Sequence, residues 1–394
     1  MRQINHQLNR LFITALGFGC VFLLVECEKE KNPIKPSPNT DFCNPTPPDS
    51  YPGRIGEWEL TGLKSDSINP INVISIHPEK PYILFVDTTY NFSNNTEAHL
   101  FRSVDYGTTW DTLGYAFGNG ANFNDITFNP SNPNIIYVVN GKVLFKSNDC
   151  GENWEDITGN IHVDWETDIR DIAINPENTD MLYAGTGGFN GGHLYKSLDG
   201  GNHWKRQESD VVNGPYCITF DPKNSNIIYV IVEWIGSIAK SIDGGENWTY
   251  TGLHNTGLMI YDILIDDENT DIIYAAVDHF FLDPEFDTDL GDLGIMKSKD
   301  GGITWERFNN GLPNDKNFKP HRIIKDINTG DLYLTLTLGN GGNTCLYKMI
   351  SGSSSWEIIN EWPRSDPPQG SIMLSPTGEI LYLGSRGMYR MRLS

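Results

Sequence analysis

Short segments in which apolar and polar residues alternate recur along most of the chain, and turn-forming residues separate them. Four such segments align with one another: DITFNPSNPNIIYVV (125–139), DIAINPENTDMLYAG (171–185), CITFDPKNSNIIYVI (217–231) and DILIDDENTDIIYAA (262–276). In each, a period of two residues leads into an Asn, Asp or Pro turn and resumes after it, which predicts two antiparallel strands. The chain is therefore predicted to consist of repeated β-hairpins.

A second pattern, Ser-x-Asp-x-Gly-x-x-Trp, alternates with these hairpins. Five copies fit it: SVDYGTTW (103–110), SNDCGENW (147–154), SLDGGNHW (197–204), SIDGGENW (241–248) and SKDGGITW (298–305). MISGSSSW (349–356) is a degenerate sixth copy, which keeps the tryptophan but has Ser351 in place of the aspartate. A third strand is expected to lead into each copy and a fourth to follow its tryptophan, so each repeat predicts four antiparallel strands.

Repeats of four antiparallel strands are typical of β-propeller blades. Blade 1 is predicted to begin at 73–87, blade 6 at 322–336 and blade 7 at 371–385, where the chain ends before a fourth strand. GEWELTGL (56–63) is similar to NWTYTGL (247–253), which follows a box, and can supply the missing strand. We therefore predict an all-β fold, a single seven-bladed β-propeller over 56–394, with its last blade closed by an N-terminal strand that leaves no open sheet edge.

The repeated box resembles the Asp-box (BNR) repeat of sialidases, sortilin-type receptors, xyloglucanases and photosystem-assembly propellers. In those families the box is a hairpin device, so the resemblance implies a structural role for Asp105, Asp149, Asp199, Asp243 and Asp300. The signatures of the enzymes are missing: there is no Arg-Ile-Pro motif, and xyloglucanase-like enzymes place two acids on two facing propellers, whereas this chain predicts one. The basic patch of the photosystem-assembly propellers has no obvious counterpart at a net charge of −22.

The N-terminal region predicts export. Residues 11–25 form an apolar run of 15 residues behind Arg2 and Arg10, which is short for a membrane span and typical of a signal peptide. The run ends at Cys27, which resembles the lipidated cysteine of bacterial lipoproteins, with Cys20 as a weaker alternative. We expect a signal peptide over 1–26, a Pro-rich flexible tether over 27–55, and a monomer in the bacterial cell envelope, attached to a membrane only by its lipid.

Composition and charge exclude several classes of function. With 29 Lys+Arg against 51 Asp+Glu, the chain does not fit a nucleic-acid binder that neutralises phosphates. No motif requires a cofactor. Among the cysteines beyond the leader, Cys43 is in the tether, Cys150 in a box, and Cys217 and Cys345 in predicted strands, so no disulfide is inferred, although an exported chain would permit one.

A ligand site is expected on one face of the ring. If strands A to D of each blade run outwards from the axis, the A–B turns and the boxes share one face, here called the box face. The D–A connections and B–C loops share the other, here called the loop face. Candidate ligand-binding residues there are Trp165, Trp234, Trp362, Arg170, Tyr216, Tyr261 and Arg322. The alternative is that such rings only pack long loops against the blades; the three tryptophans together favour binding.

Acidic residues on the loop face allow a second interpretation. A glycosidase needs two carboxylates beside the scissile bond, and the candidates are Asp125, Asp168, Asp262, Glu166 and Glu233. Acids at the start of a strand more often close turns or pair with Arg. In the long blade 5 loop, Asp287, Asp289 and Asp292 could bind Ca²⁺, although an unliganded acidic loop is favoured. The sequence thus favours a non-catalytic binding or assembly module for a glycan or protein, with a glycoside hydrolase as the alternative.

Overall fold

The computed structural model describes most of the chain beyond the predicted tether. The described residues are 43–50, 52–63, 71–88, 99–113, 123–164, 166–188, 191–232, 236–254, 258–279, 294–313, 318–338, 344–362, 371–385 and 387–393. Within these ranges every regular element is a β-strand, as predicted. No helix in these ranges is long and apolar enough to span a membrane.

The strands form seven four-stranded antiparallel sheets. From blade 1 to blade 7, the A strands are β2 (Ile74–Ile76), β6 (Phe123–Phe128), β10 (Thr167–Ile174), β14 (Pro215–Asp221), β18 (Leu258–Ile265), β22 (Phe318–Lys325) and β26 (Ile372–Leu374). The B strands are β3 (Leu84–Thr88), β7 (Ile136–Asn140), β11 (Leu182–Gly188), β15 (Asn224–Val232), β19 (Ile273–His279), β23 (Leu332–Leu338) and β27 (Ile380–Gly384).

The two outer strands of each blade flank the box. The C strands are β4 (His99–Ser103), β8 (Val143–Ser147), β12 (Leu194–Ser197), β16 (Ser237–Ser241), β20 (Gly294–Ser298), β24 (Thr344–Met349) and β28 (Met388–Arg392). The D strands are β5 (Asp111–Thr112), β9 (Glu155–Asp156), β13 (Lys205–Gln207), β17 (Thr249–Tyr250), β21 (Glu306–Arg307), β25 (Glu357–Trp362) and, in blade 7, β1 (Trp58–Leu60).

The A strands of consecutive blades contact one another around the whole ring, including β26 against β2. The ring is closed by β1, whose residues Trp58, Glu59 and Leu60 pair with Met391, Arg390 and Tyr389 of β28. The predicted seven-bladed propeller with an N-terminal closing strand is therefore confirmed. The core consists of clusters between neighbouring blades, because each sheet buries both faces against its neighbours.

Each complete box is a hydrogen-bonded turn, as the fourth copy illustrates. The Ser241 hydroxyl donates to Asp243 Oδ1 at 2.9 Å and accepts from the Gly245 amide at 2.8 Å. Asp243 also accepts from the amide of Asn247 at 2.9 Å and from its side chain at 2.7 Å. These bonds lower the pKa of Asp243 to about 2, with the Asn247 side chain the largest cause. The carboxylate is thus held ionised in a turn on the box face.

Basic residues connect each of several boxes to the preceding blade. The residue after the box aspartate is left-handed, and its carbonyl accepts from a Lys or Arg on the C strand of the blade before it. The pairs are Arg102 with Cys150, Lys146 with Gly200, Lys196 with Gly244, Lys240 with Gly301 and Arg390 with Tyr106. In blades 2, 3 and 4 the same Lys also lies over a buried Tyr of its own B strand, as Lys240 does over Tyr229 at 5.0 Å.

The Arg390 contact lies at the ring closure and has additional partners. Its Nη1 donates to the Tyr106 carbonyl at 2.6 Å and to Thr108 Oγ1 at 3.1 Å, both in the blade 1 box. Its Nε bonds to Glu59 of the closing strand β1. The Arg390 side chain is only 9% exposed. One guanidinium thus connects the last C strand, the N-terminal strand and the first blade.

The inference that the chain has no disulfide is wrong, because Cys43 is bonded to Cys150. Cys150 lies at the left-handed position of the blade 2 box, with φ of 58°. Upstream residues pack on the same face: Lys80 of the blade 1 A–B turn contacts the Cys43 carbonyl and Asn44 Oδ1, the latter at 2.9 Å. Pro45 is buried. Residues 43–50 are here called the strap. The disulfide depends on where the strap lies against the propeller, and no local sequence pattern indicates this position.

Candidate functional site

The A strands share an irregularity that shapes the centre of the ring. In five blades the pairing of strands A and B shifts by one residue near the loop face, at a β-bulge. The extra residues, in blade order 2 to 6, are Asn124, Arg170, Tyr216, Tyr261 and His321, and the residues that follow them are Asp125, Asp171, Cys217, Asp262 and Arg322. Bulges redirect side chains, and here both residues line the central cavity in blades 2, 5 and 6, whereas in blade 4 Tyr216 does.

A cavity of about 500 Å³ occupies the central channel. The residues that line it belong to six of the seven A strands or directly precede them. Because each A strand starts at the loop face, the cavity begins near that face. The predicted residues Asp125, Asp262, Tyr216, Tyr261 and Arg322 line it together with His321, Asn72, Ser75, Asn124, Thr127, Ser371 and several apolar residues. Its volume falls in the range of about 300–1,000 Å³ that is usual for ligand pockets.

The axial aspartates bind backbone amides of neighbouring blades. Asp171 Oδ2 accepts from the Ile218 amide of blade 4 at 2.5 Å, and Asp262 Oδ2 accepts from the Ile323 amide of blade 6 at 2.9 Å. Asp125 accepts from the next amide in its own strand, Ile126, at 2.8 Å. Asp125 and Asp171 also interact electrostatically with each other. Asp171 and Asp262 therefore hold adjacent blades together at the axis.

Burial governs how these acids titrate. It raises the pKa of Asp125, Asp171 and Asp262, and for Asp171 the neighbouring Asp125 raises the pKa further. Arg322 opposes the shift at Asp125 and Asp262. Burial and the negative charge of Asp125 both favour the protonated form of Asp171.

The remaining cavity side chains are aromatic or cationic. The Tyr216 hydroxyl bonds to the Ile260 carbonyl of the next blade. Tyr261 packs edge-on against His321 with ring centroids 6.2 Å apart, and His321 Nε2 lies 2.8 Å from Thr337 Oγ1. Burial lowers the pKa of His321 to about 4, so its ring is neutral at pH 7. The Arg322 side chain is exposed within the cavity.

Other predicted site residues lie apart from this cavity. Arg170 occupies the bulge of blade 3 but does not line it. Asp168 Oδ1 forms an ion pair with Lys142 Nζ at 2.5 Å, and the Glu166 amide donates to Asp164 Oδ1 at 2.9 Å. Trp362 ends β25, where it pairs with Thr344, and its side chain is not described. Trp165, Trp234, Glu233, Asp287, Asp289, Asp292 and Cys27 lie outside the described residues.

The sequence interpretation missed the polar side chains that complete the cavity. Asn124 lines the cavity, and its side-chain Nδ2 donates to the Ile169 carbonyl of the next blade at 2.5 Å. The available signal was its position directly before Asp125, at the start of an A strand. Within the described part of the chain, no group of three or more His, Cys, Asp or Glu residues could hold a metal ion.

Comparison with known proteins finds similarity to sortilin and to xyloglucanases. The family model described as "Sortilin, neurotensin receptor 3" matches residues 98–233. A xyloglucanase from Paenibacillus sp is 24% identical over 297 residues, which cover 65% of this chain and 28% of that protein. Sortilin from Danio rerio is 30% identical over 219 residues, covering 53% of this chain and 24% of its own length. The chain thus spans less than a third of either relative.

Solved structures show the same architecture. The GH74 xyloglucanase of Xanthomonas campestris superposes with a TM-score of 0.65 at 16% identity, covering 86% of this chain and 54% of that one. YCF48 bound to D1 peptide superposes with a TM-score of 0.60 at 15% identity, covering 88% of this chain and 99% of that one. The chain is therefore a seven-bladed β-propeller of the Asp-box type, similar to the xyloglucanase, YCF48 and sortilin propellers.

Proposed function

We propose that the protein is a non-catalytic binding module that captures a glycan or a protein segment on its loop face, with the central cavity as its principal site. The observation that carries this proposal is the engagement of the acids. Asp171 and Asp262 each accept the amide of a neighbouring blade, and Asp125 accepts the Ile126 amide of its own strand. Carboxyl groups with these structural partners are poorly placed to act as an acid–base pair.

A second argument concerns Asp168, whose carboxylate is ion-paired with Lys142 Nζ at 2.5 Å. Glycosidases need two available carboxyl groups beside the scissile bond, about 5–5.5 Å apart in retaining enzymes and roughly 6.5–9.5 Å apart in inverting ones. Binding is also in keeping with the relatives, since a YCF48 structure contains a bound peptide and the xyloglucanases are named for a polysaccharide.

A glycoside hydrolase is the second candidate, favoured by the xyloglucanase relatives and by Asp125 and Asp262 lining one cavity. Export and attachment through a lipidated Cys27 complete the proposal. The Cys43–Cys150 disulfide supports export, because such bonds form in oxidising compartments. The same proposal expects a monomer, since no oligomeric partner is needed to complete the cavity.

The test incubates the exported full-length protein with plant, algal and host polysaccharides and scores both retention and released sugars. We expect retention without release, lost on replacing Trp165, Trp234 and Trp362 together with alanine. Tyr261→Ala should also weaken retention, whereas Ile242→Ala, at a side chain 70% exposed on the box face, should not. Released sugar that disappears in Asp262→Asn would establish the hydrolase instead. If the protein neither retains a polysaccharide nor releases sugar, the proposal shifts to a protein partner.

A further inference from the structure

The charged side chains of the central cavity differ in how fully they are engaged. Asp125 and Asp262 both accept backbone amides, so much of their hydrogen-bonding capacity is used within the ring. Arg322 interacts electrostatically with both of them, but among the described residues its guanidinium has no hydrogen-bond or ion-pair partner. Its N–H groups are therefore the strongest donors that the described cavity offers to a ligand.

The chemistry of a guanidinium restricts what it binds best. Its planar set of N–H donors matches the two oxygens of a carboxylate, and such paired bonds are stronger than bonds between neutral groups. One arginine at the axis suits one carboxylate. The groups that surround it are suited to the rest of a sugar: the rings of Tyr216 and Tyr261 offer stacking faces. Five amide or hydroxyl side chains also line the cavity: Asn72, Ser75, Asn124, Thr127 and Ser371.

We propose, on the basis of the binding function above, that this cavity takes an acidic sugar, a uronate residue at the end of a polysaccharide chain, with its carboxylate on Arg322. Along β6 the lining runs from Asn124 to Phe128, a depth of about 13 Å at roughly 3.3 Å per residue, which suits a chain end entering along the axis. An end-on ligand keeps most of a polyanion away from a protein of net charge −22.

The negative charge beside Arg322 is smaller than the number of acids suggests. Burial raises the pKa of Asp125, Asp171 and Asp262, which favours their neutral forms and reduces the negative charge beside the guanidinium. His321 is neutral at pH 7 and neither attracts nor repels the ligand carboxylate.

The experiment measures binding to the full-length, disulfide-bonded protein by titration calorimetry. The probes are trigalacturonate, its fully methyl-esterified form, a neutral xyloglucan oligosaccharide, a sulfated galactan oligosaccharide and an acidic peptide. The esterified form is the matched control, because it keeps the sugar chain and removes the negative charges by adding one methyl group to each carboxyl group. The variants are Arg322→Gln and Arg322→Lys, with Arg206→Gln on the outer strand β13 as the control substitution.

We expect trigalacturonate to bind and its ester to bind about ten- to a hundredfold more weakly, since hydrogen bonds to charged groups have this strength. Arg322→Gln should produce the same loss for trigalacturonate and remove the preference over the ester. Arg322→Lys should keep part of the affinity for trigalacturonate, because lysine keeps the positive charge but cannot form the paired hydrogen bonds. Arg206→Gln should change neither affinity. Because Arg322 has no hydrogen bond to the described residues, its variants should keep a near-native melting temperature.

Other outcomes separate this inference from the proposed function. Equal binding of trigalacturonate and its ester, or retention of the neutral oligosaccharide alone, would overturn the acidic-sugar assignment and leave the glycan-binding function standing. Preference for the sulfated probe would overturn the choice of carboxylate. Binding of the acidic peptide with no glycan bound would overturn it in favour of a protein ligand. If no probe binds and no polysaccharide is retained, both the inference and the glycan-binding function fail.

Discussion

Closure of the ring depends on a short strand, and Arg390 is the side chain that fastens it. The closing strand β1 has three residues, so its backbone pairing with β28 is limited. Arg390→Met removes the guanidinium but keeps most of the aliphatic bulk. It breaks the ion pair with Glu59 and the two hydrogen bonds to the blade 1 box at Tyr106 and Thr108. We expect the ring to weaken at the boundary between blades 7 and 1.

The magnitude follows from burial. Removing one partner of a buried ion pair costs about 3–5 kcal/mol. Glu59 is 36% exposed and can be rehydrated, so the lower end, about 3 kcal/mol, applies. Unfolding entropy of about 2.1 cal/mol/K per residue gives roughly 0.7 kcal/mol/K for a propeller of this size, so the melting temperature should fall by about 4 °C.

Thermal unfolding measures the size of the effect, and amide hydrogen exchange locates it. Exchange should increase in β1 and β28 and stay unchanged in blades 3 to 5. Lys240→Met removes an equivalent contact within the ring, a 3.0 Å bond to the Gly301 carbonyl, and should raise exchange only around that box. Arg206→Met, at an exposed ion pair, should change stability by less than about 0.5 kcal/mol. A melting temperature for Arg390→Met equal to that of Arg206→Met would refute the reasoning.

Three further predictions concern the strap, a buried acid and the boxes. Cys43→Ser removes the link to Cys150 and should lower the free energy of unfolding by about 4–5 kcal/mol. Dithiothreitol should destabilise the wild-type protein but not this variant. Burial raises the pKa of Asp87 to about 8. Between about pH 4 and pH 8 Asp87 therefore loses its proton only in the unfolded chain, so the free energy of unfolding falls as the pH rises. Asp87→Asn should flatten this pH profile by up to about 5 kcal/mol, measured by denaturant titration. Asp243→Ala should lower the melting temperature without changing glycan retention, and Asp210→Ala should alter neither.

The blades could be predicted because each is encoded locally. A period of two residues, a turn and a box recur within one repeat, and the strand bounds follow from them. The similarity of residues 56–63 to a segment after a box was enough to place the closing strand. The degenerate sixth box has its own local contacts: Asp331 of the same blade accepts the Ser351 amide at 2.8 Å and pairs with Lys348 at 2.7 Å.

The cavity and the strap depend on contacts between distant residues. Asp125 and Asp262 were predicted on the loop face, but the bonds of Asp171 and Asp262 to the next blade follow from bulges that move each side chain by one position. Such a shift has no signature in the alternation of apolar and polar residues. Cys43 and Cys150 are 107 residues apart, and their pairing depends on how the strap lies against blade 1.

The strap also determines how mechanical tension enters the molecule. A pull on the chain upstream of Cys43 reaches the disulfide first and passes into the box of blade 2. The three-residue strand β1 lies downstream of that point and carries none of the load, so tension does not unzip it from β28. The disulfide lies on the box face, opposite the mouth of the central cavity. Tension applied through this strap acts on the box face of the propeller, so it neither opens the ring nor covers the cavity.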